Sequence, residues 1–157
     1  MKIGIIGCGN ISETYFKSQN LYNNFNVVAC ADINLEAAKS SAEKFGIQYQ
    51  GVEQILANSE IDLIVNLTIP SAHKEIILKT LNSNKHSFSE KPLAMSFKEG
   101  SEIKNLAKEK GLEVGCAPDT FLGAAGQKAR ELIDQNTIGS PKLGSFSIMS
   151  HGMEHWH

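Results

Sequence analysis

The sequence contains no apolar run long enough to span a bilayer, which excludes a membrane-crossing helix from these residues. Its first residues also lack the charged and apolar regions of a signal peptide. Cysteine is scarce: Cys8, Cys30 and Cys116 are odd in number and show no Cys-x-x-Cys spacing. That argues against both a disulfide framework and a zinc knuckle, and the thiols read as reduced core residues of a cytoplasmic protein. Neither sign of charge is in excess, with 15 Lys and Arg against 17 Asp and Glu, so nothing points to nucleic acid or an anionic membrane as partner. There is no internal repeat and no low-complexity stretch. What is present is 157 residues, 41% of them hydrophobic, enough for about one domain with its own core.

The richest local signal is the opening run Lys2-Ile3-Gly4-Ile5-Ile6-Gly7-Cys8-Gly9-Asn10-Ile11-Ser12. A short apolar strand enters a glycine turn, and an amphipathic helix begins near Ile11. Gly7 permits the tight turn, and Gly9 lets backbone N–H groups approach a pyrophosphate at the positive end of a helix. Ser12 occupies the place where a third glycine or alanine is usual, and it is small enough for close helix–strand packing. The next apolar run, Val27-Val28-Ala29-Cys30-Ala31, ends in Asp32, a carboxylate placed to accept from a ribose diol. Strand, turn, helix, strand and acid follow in the order of a dinucleotide-binding βαβ unit. Asp32 would repel a 2′-phosphate, and no arginine follows it in Ile33-Asn34-Leu35, so NAD is expected over NADP.

Strand-like and helix-like segments then alternate. Strands are expected at 2–6, 25–31, 47–49, 61–67, 86–88 and 112–116. Helices are expected at 11–19, 35–45, 52–57, 72–81 and 97–110, with Asn34 and Ser96 as N-caps and Gly46 and Gly111 as stops. This alternation predicts an α/β fold, a doubly wound parallel sheet of Rossmann type with helices on both faces. Residues 1–120 are assigned to that dinucleotide-binding domain. From Thr120 to Asn136 one longer helix is expected, and Lys142 to Ser150 alternates like a strand. A strand without a partner is unstable, so residues 121–157 read as the first helix and strand of a truncated second α/β domain, in a chain expected to be the front part of a longer protein or an artificially shortened piece of one.

Ligands of open α/β sheets bind beyond the carboxyl ends of the strands. Three segments converge there with the glycine turn: Thr68-Ile69-Pro70 with His73 just beyond, Ser89-Glu90-Lys91-Pro92, and Ala117-Pro118-Asp119-Thr120. Lys91 can hydrogen-bond a substrate hydroxyl or carbonyl and take part in proton transfer beside a nicotinamide, or it is a solvated loop lysine paired with Glu90. His73 either orients a ligand or is satisfied by backbone at a helix start. Cys8 either presents a thiolate at a helix N-terminus or fills the turn beside the pyrophosphate. His151-Gly152-Met153-Glu154-His155 matches a zinc-protease pattern, but Gly152 follows a strand-like run where that pattern needs a helix, so no metal is expected.

Gly7-Cys8-Gly9-Asn10-Ile11-Ser12, Ala31-Asp32, Thr68-Ile69-Pro70-Ser71-Ala72-His73 and above all Glu90-Lys91-Pro92 together resemble the N-terminal region of the glucose–fructose oxidoreductase / inositol dehydrogenase (Gfo/Idh/MocA) family. The resemblance runs through Ile138-Gly139-Ser140-Pro141 to Glu154-His155-Trp156-His157. It implies an NAD-dependent oxidoreductase that transfers hydride between the nicotinamide and a secondary alcohol of a sugar, polyol or derivative, with Lys91 catalytic and in contact with substrate. It further implies that Gly7, Cys8, Gly9, Asn10, Ile11, Asp32, Thr68, Ile69, Pro70, His73, Glu90 and Lys91 form the cofactor site, and that Trp156 and His157 line the substrate cleft. Asp119, where the family often has a basic or aromatic residue, binds a sugar hydroxyl or caps the following helix. The remaining catalytic Asp and His partners, and the surface through which family members form homo-oligomers, are expected beyond His157. Two alternatives stay open: an NAD-dependent glycoside hydrolase of the same family, and a non-catalytic dinucleotide-sensing module.

Overall fold

Six parallel strands form one sheet in the order β3-β2-β1-β4-β5-β6 in a computed structural model that describes residues 1–118, 120–147 and 149. The chain divides into two units, Met1–Pro118 and Asp119–His157. In the first, the order of elements is β1 (Lys2–Ile6), α1 (Ser12–Ser18), β2 (Asn26–Ala31), α2 (Leu35–Phe45), β3 (Gln48–Tyr49), α3 (Val52–Ala57), β4 (Leu63–Asn66), α4 (Pro70–Asn82), β5 (His86–Ser89), α5 (Phe97–Lys110) and β6 (Val114–Cys116). β1 pairs with both β2 and β4, so the two halves of the sheet diverge at its carboxyl end. The expected doubly wound parallel sheet is present.

Local chemistry explains the boundaries. Asn34 accepts from the N–H groups of Glu36 and Ala37 at the start of α2, and Gly46 ends it in the left-handed region at φ 66°. Ser96 accepts from Glu99 N–H at the start of α5, and Gly111 repeats the left-handed stop. α4 begins two residues earlier than the apolar pattern suggests, because Pro70 fits a first helical turn, where its missing N–H costs nothing. The sheet is covered on both faces. One cluster joins Ile3, Ile5, Val27, Val65 and Leu67 to Phe16 of α1 and Ala42 of α2. The other joins Ile6, Ala29, Ala31 and Ile64 to Ile55 of α3 and Ile76 of α4, and a third joins Ile77 and Leu81 of α4 to Ile103 of α5. Such strands, buried on both sides, are near-continuous apolar runs, as the sequence shows.

In the second unit the single long helix expected from Thr120 is instead a 3₁₀ turn at Thr120–Leu122 followed by α6 (Ala124–Asp134). Gly123 separates them in an extended conformation, and Gly126 is needed because a Cβ there would lie 2.6 Å from the Phe121 carbonyl oxygen. The strand expected at 142–150 is absent among its described residues, 142–147 and 149. No ladder partner for them exists among the described residues, so their backbone gains nothing from extended pairing. Asp119, Trp156, His157 and the His151–His155 pattern lie outside the described residues.

Candidate functional site

The carboxyl edge of the sheet brings together the glycine turn after β1, Asp32 after β2, the 67–70 segment after β4 and the 90–92 loop after β5. Gly7 adopts φ +105°, and a Cβ there would lie 2.5 Å from the Leu67 carbonyl carbon and 2.8 Å from Thr68 N. Only glycine allows β1 and the end of β4 to approach this closely. Gly9 faces open space, with nothing within 4 Å of a would-be Cβ. Among the described residues the N–H groups of Gly9, Asn10 and Ile11 have no hydrogen-bond acceptor, whereas Gly7 N–H donates to Ala31 O and Ser12 N–H to Gly9 O. The turn therefore presents unspent donors beside an uncovered glycine. Ser12 is buried and its hydroxyl donates to Gly9 O at 2.7 Å, so the non-glycine third position is satisfied within the turn.

Asp32 is fixed by two backbone donors. Cys8 N–H reaches Oδ2 and Asn34 N–H reaches Oδ1, each at 2.7 Å. These bonds aim the carboxylate and leave further lone pairs for a ribose diol. The exposed Ile33 beside it offers no cation for a 2′-phosphate. The open donors, the uncovered glycine and the oriented carboxylate fit a dinucleotide without a 2′-phosphate. Cys8 is half-buried, and its hydrogen bond with Cys30 holds its thiol below the ordinary value, while that contact and burial push Cys30 up.

The 90–92 loop is held from three sides. Glu90 N–H donates to Asn66 O at 2.9 Å, and Tyr15 of α1 donates its hydroxyl to Glu90 Oε1 at 2.8 Å. Glu90 Oε2 accepts from the Lys91 N–H at 3.1 Å. Glu90 thus orients the loop, and among the described residues it forms no ion pair with the exposed Lys91 ammonium. Ile69 and Pro70 are exposed at the same edge. Thr68 turns inward, its N–H and hydroxyl both donating to Asn66 Oδ1.

His73 is 1% exposed, with Nδ1 2.6 Å from Pro92 O and Nε2 2.8 Å from Thr68 O, so its ring is enclosed between the segments that follow β4 and β5. Of its two sequence readings, backbone satisfaction is the one found. Two supports escaped sequence reasoning. Asn66, fully buried, also donates from Nδ2 to His73 O, and its only signal was a polar residue ending an apolar run. Tyr15 gave no signal at all, because its partner lies 75 residues away.

Comparison with known proteins agrees with this geometry. The Gfo/Idh/MocA family model, an oxidoreductase family with an NAD-binding Rossmann fold, matches residues 1–117. The inositol 2-dehydrogenase/D-chiro-inositol 3-dehydrogenase of Lacticaseibacillus casei is 30% identical over 148 residues, which is 90% of this chain and 42% of that protein. Glucose-6-phosphate 3-dehydrogenase of Bacillus subtilis is 33% identical over 108 residues, 68% of this chain and 30% of that protein. The crystal structure of Lactobacillus casei myo-inositol dehydrogenase with NAD(H) and myo-inositol superimposes with a TM-score of 0.83 at 26% identity, covering 90% of this chain and 43% of that one. The chain spans less than half the length of these relatives. With strand order, glycine turn and acid all in place, the chain belongs to the Gfo/Idh/MocA family of oxidoreductases with an NAD-binding Rossmann fold.

Proposed function

We propose that residues 1–120 are the NAD-binding portion of an oxidoreductase that moves a hydride between nicotinamide and a secondary alcohol of a sugar, polyol or related derivative. One observation carries this reading: a single sheet edge presents an oriented Asp32 after β2 and an exposed Lys91 after β5. The strand order separates these two by three spacings, about 14 Å at ~4.8 Å each, a span suited to an extended dinucleotide. Asp32 accepts from the adenosine ribose, the N–H groups of Gly9, Asn10 and Ile11 receive the pyrophosphate with Gly7 and Cys8 shaping the turn, and Ile69 and Pro70 wall the groove. Thr68, Glu90 and His73 support that groove from within.

The nicotinamide, when bound, supplies the hydride acceptor or donor. Lys91 is then the catalytic cation at that end, hydrogen-bonding the reacting oxygen and favouring its loss or gain of a proton. The substrate class comes from the relatives, two of whose names specify inositol and glucose-6-phosphate. In the same reading Asp119, Trp156 and His157 contact substrate, residues 121–157 open a substrate domain, NADP is the poorer cofactor, and the protein acts in the cytoplasm as a homo-oligomer. No helix of the described residues is long and apolar enough to cross a membrane. The test is the full-length gene product with NAD and a panel of cyclic polyols and sugar derivatives, followed by NADH absorbance. The expected result is NADH formation that Lys91→Met abolishes. Unchanged turnover in that variant would refute the role of Lys91.

A further inference from the structure

His73 is a buried imidazole whose two nitrogens both face oxygen atoms that can only accept. Nδ1 lies 2.6 Å from Pro92 O and Nε2 lies 2.8 Å from Thr68 O. A neutral imidazole has one N–H and one lone pair, so it can donate to only one of the two carbonyls. At the other it would set lone pair against lone pair, in a place where no water reaches a ring that is 1% exposed. The doubly protonated ring donates to both.

The two carbonyls do not depend on His73 equally. Thr68 is also held through its N–H and its hydroxyl, both bonded to Asn66 Oδ1 at 3.2 and 2.7 Å. Pro92 has no N–H, and among the described residues its carbonyl has no other partner. His73 itself is anchored, because Asn66 Nδ2 donates to its carbonyl at 3.2 Å. The ring therefore transmits the fixed end of β4 to one point on the far side of Lys91, while Glu90 N–H bonded to Asn66 O fixes the near side.

We propose that His73 is a positioning residue which carries a proton on both ring nitrogens and clamps the Pro92 carbonyl, fixing the backbone that presents Lys91 to the nicotinamide half of the cofactor. This rests on the reading of Lys91 given above. The geometry assigns His73 to one half of the site only, since Asp32 and the glycine turn bind the other half through contacts that do not involve it.

The test has two arms. In the first, the ¹⁵N-histidine-labelled chain without ligand is examined by long-range ¹H–¹⁵N NMR, with His73→Gln assigning the signal. Two protonated nitrogens are expected, and one nitrogen lacking a proton would overturn the proposal. In the second, wild type and His73→Phe are titrated with NADH and with ADP-ribose, which lacks the nicotinamide. The variant is expected to weaken NADH about tenfold while ADP-ribose stays within about twofold. Equal weakening of both would mean a structural role only and would also overturn it. Wild-type protein that binds neither ligand defeats the cofactor reading instead, and the NMR arm then decides the clamp alone. The same arm decides if His73→Phe does not fold.

Discussion

Strand β5 has a lysine near each end, and the two are treated in opposite ways. Lys85, just before the strand, is 5% exposed and donates to the carbonyls of Asn58 at 2.7 Å and Ile61 at 2.9 Å. Burial pushes its ammonium below the ordinary value, and the nearby Asp62 offsets this only in part. Lys91, just after the strand, is exposed, and among the described residues Glu90 engages its backbone N–H while its ammonium has no ion-pair partner. The whole sheet follows this division. At the amino edge, Lys2 N–H bonds Asp62 and its ammonium bonds Glu60, so polar groups are used up closing the fold. At the carboxyl edge the polar groups of Asn66, Glu90, Tyr15 and His73 are spent on holding loops still, and the outermost donors are left over. A charged residue beside a strand therefore has no fixed meaning. Its role depends on whether the neighbouring carbonyls converge on it or turn away.

The two glycines of the turn should respond to substitution in opposite ways. Gly7→Ala must place a Cβ within 2.5 Å of backbone at φ +105°, so it is expected to destabilise the chain by about 3–5 kcal/mol in denaturant unfolding. Gly9→Ala enters open space and should leave the unfolding midpoint nearly unchanged while weakening NADH binding, because its methyl group occupies the ligand side of the turn. Next come the two lysines. Lys85→Met strands two carbonyls and should cost about 2–4 kcal/mol, whereas Lys91→Met should stay within about 0.5 kcal/mol. Equal effects of the two would remove the contrast between the edges.

A third expectation separates the thiols. Cys8, lowered by its hydrogen bond with Cys30, should be alkylated by iodoacetamide ahead of Cys30 and Cys116, and NADH should protect it. Peptide mass mapping reads the order, and preferential labelling of Cys116 would contradict it. The smallest effect belongs to the surface. Lys17 and Lys44 bring Glu13 down to about 2. The stabilisation it provides is present above the unfolded value, about 4.3, and is lost as pH falls toward the folded one. Glu13→Gln should therefore lower the Tm slightly at neutral pH and match wild type near pH 2, although solvent screening keeps the difference small.

Local chemistry made most of the fold legible. The α2 and α5 boundaries follow from Asn34 with Gly46 and Ser96 with Gly111, residues whose conformational preferences act over one turn. The sheet followed from buried apolar runs separated by helical ones. The structure departs from the local pattern where tertiary support is lacking: residues 142–147 and 149 pair with no strand among the described residues, and Gly123 divides an apparently continuous helix. The same limit governs the site. Asp32 and the glycine turn could be read because their spacing is local and their chemistry nearly unique. His73 was visible as a residue but not as a clamp, since its two acceptors are backbone atoms 5 and 19 positions away and carbonyls carry no sequence signal. Tyr15, whose bond to Glu90 joins α1 to the lysine loop, was hidden for the same reason.

The open donors of the glycine turn and the oriented Asp32 carboxylate at the carboxyl edge suit a dinucleotide without a 2′-phosphate. Isothermal titration of the chain with NAD and NADP, repeated with Asp32→Ser, tests it most directly. NAD is expected to bind at least about tenfold more tightly than NADP, and Asp32→Ser is expected to erase most of the difference. NADP binding as tightly as NAD to the wild-type chain, or a preference that survives the loss of Asp32, would contradict it.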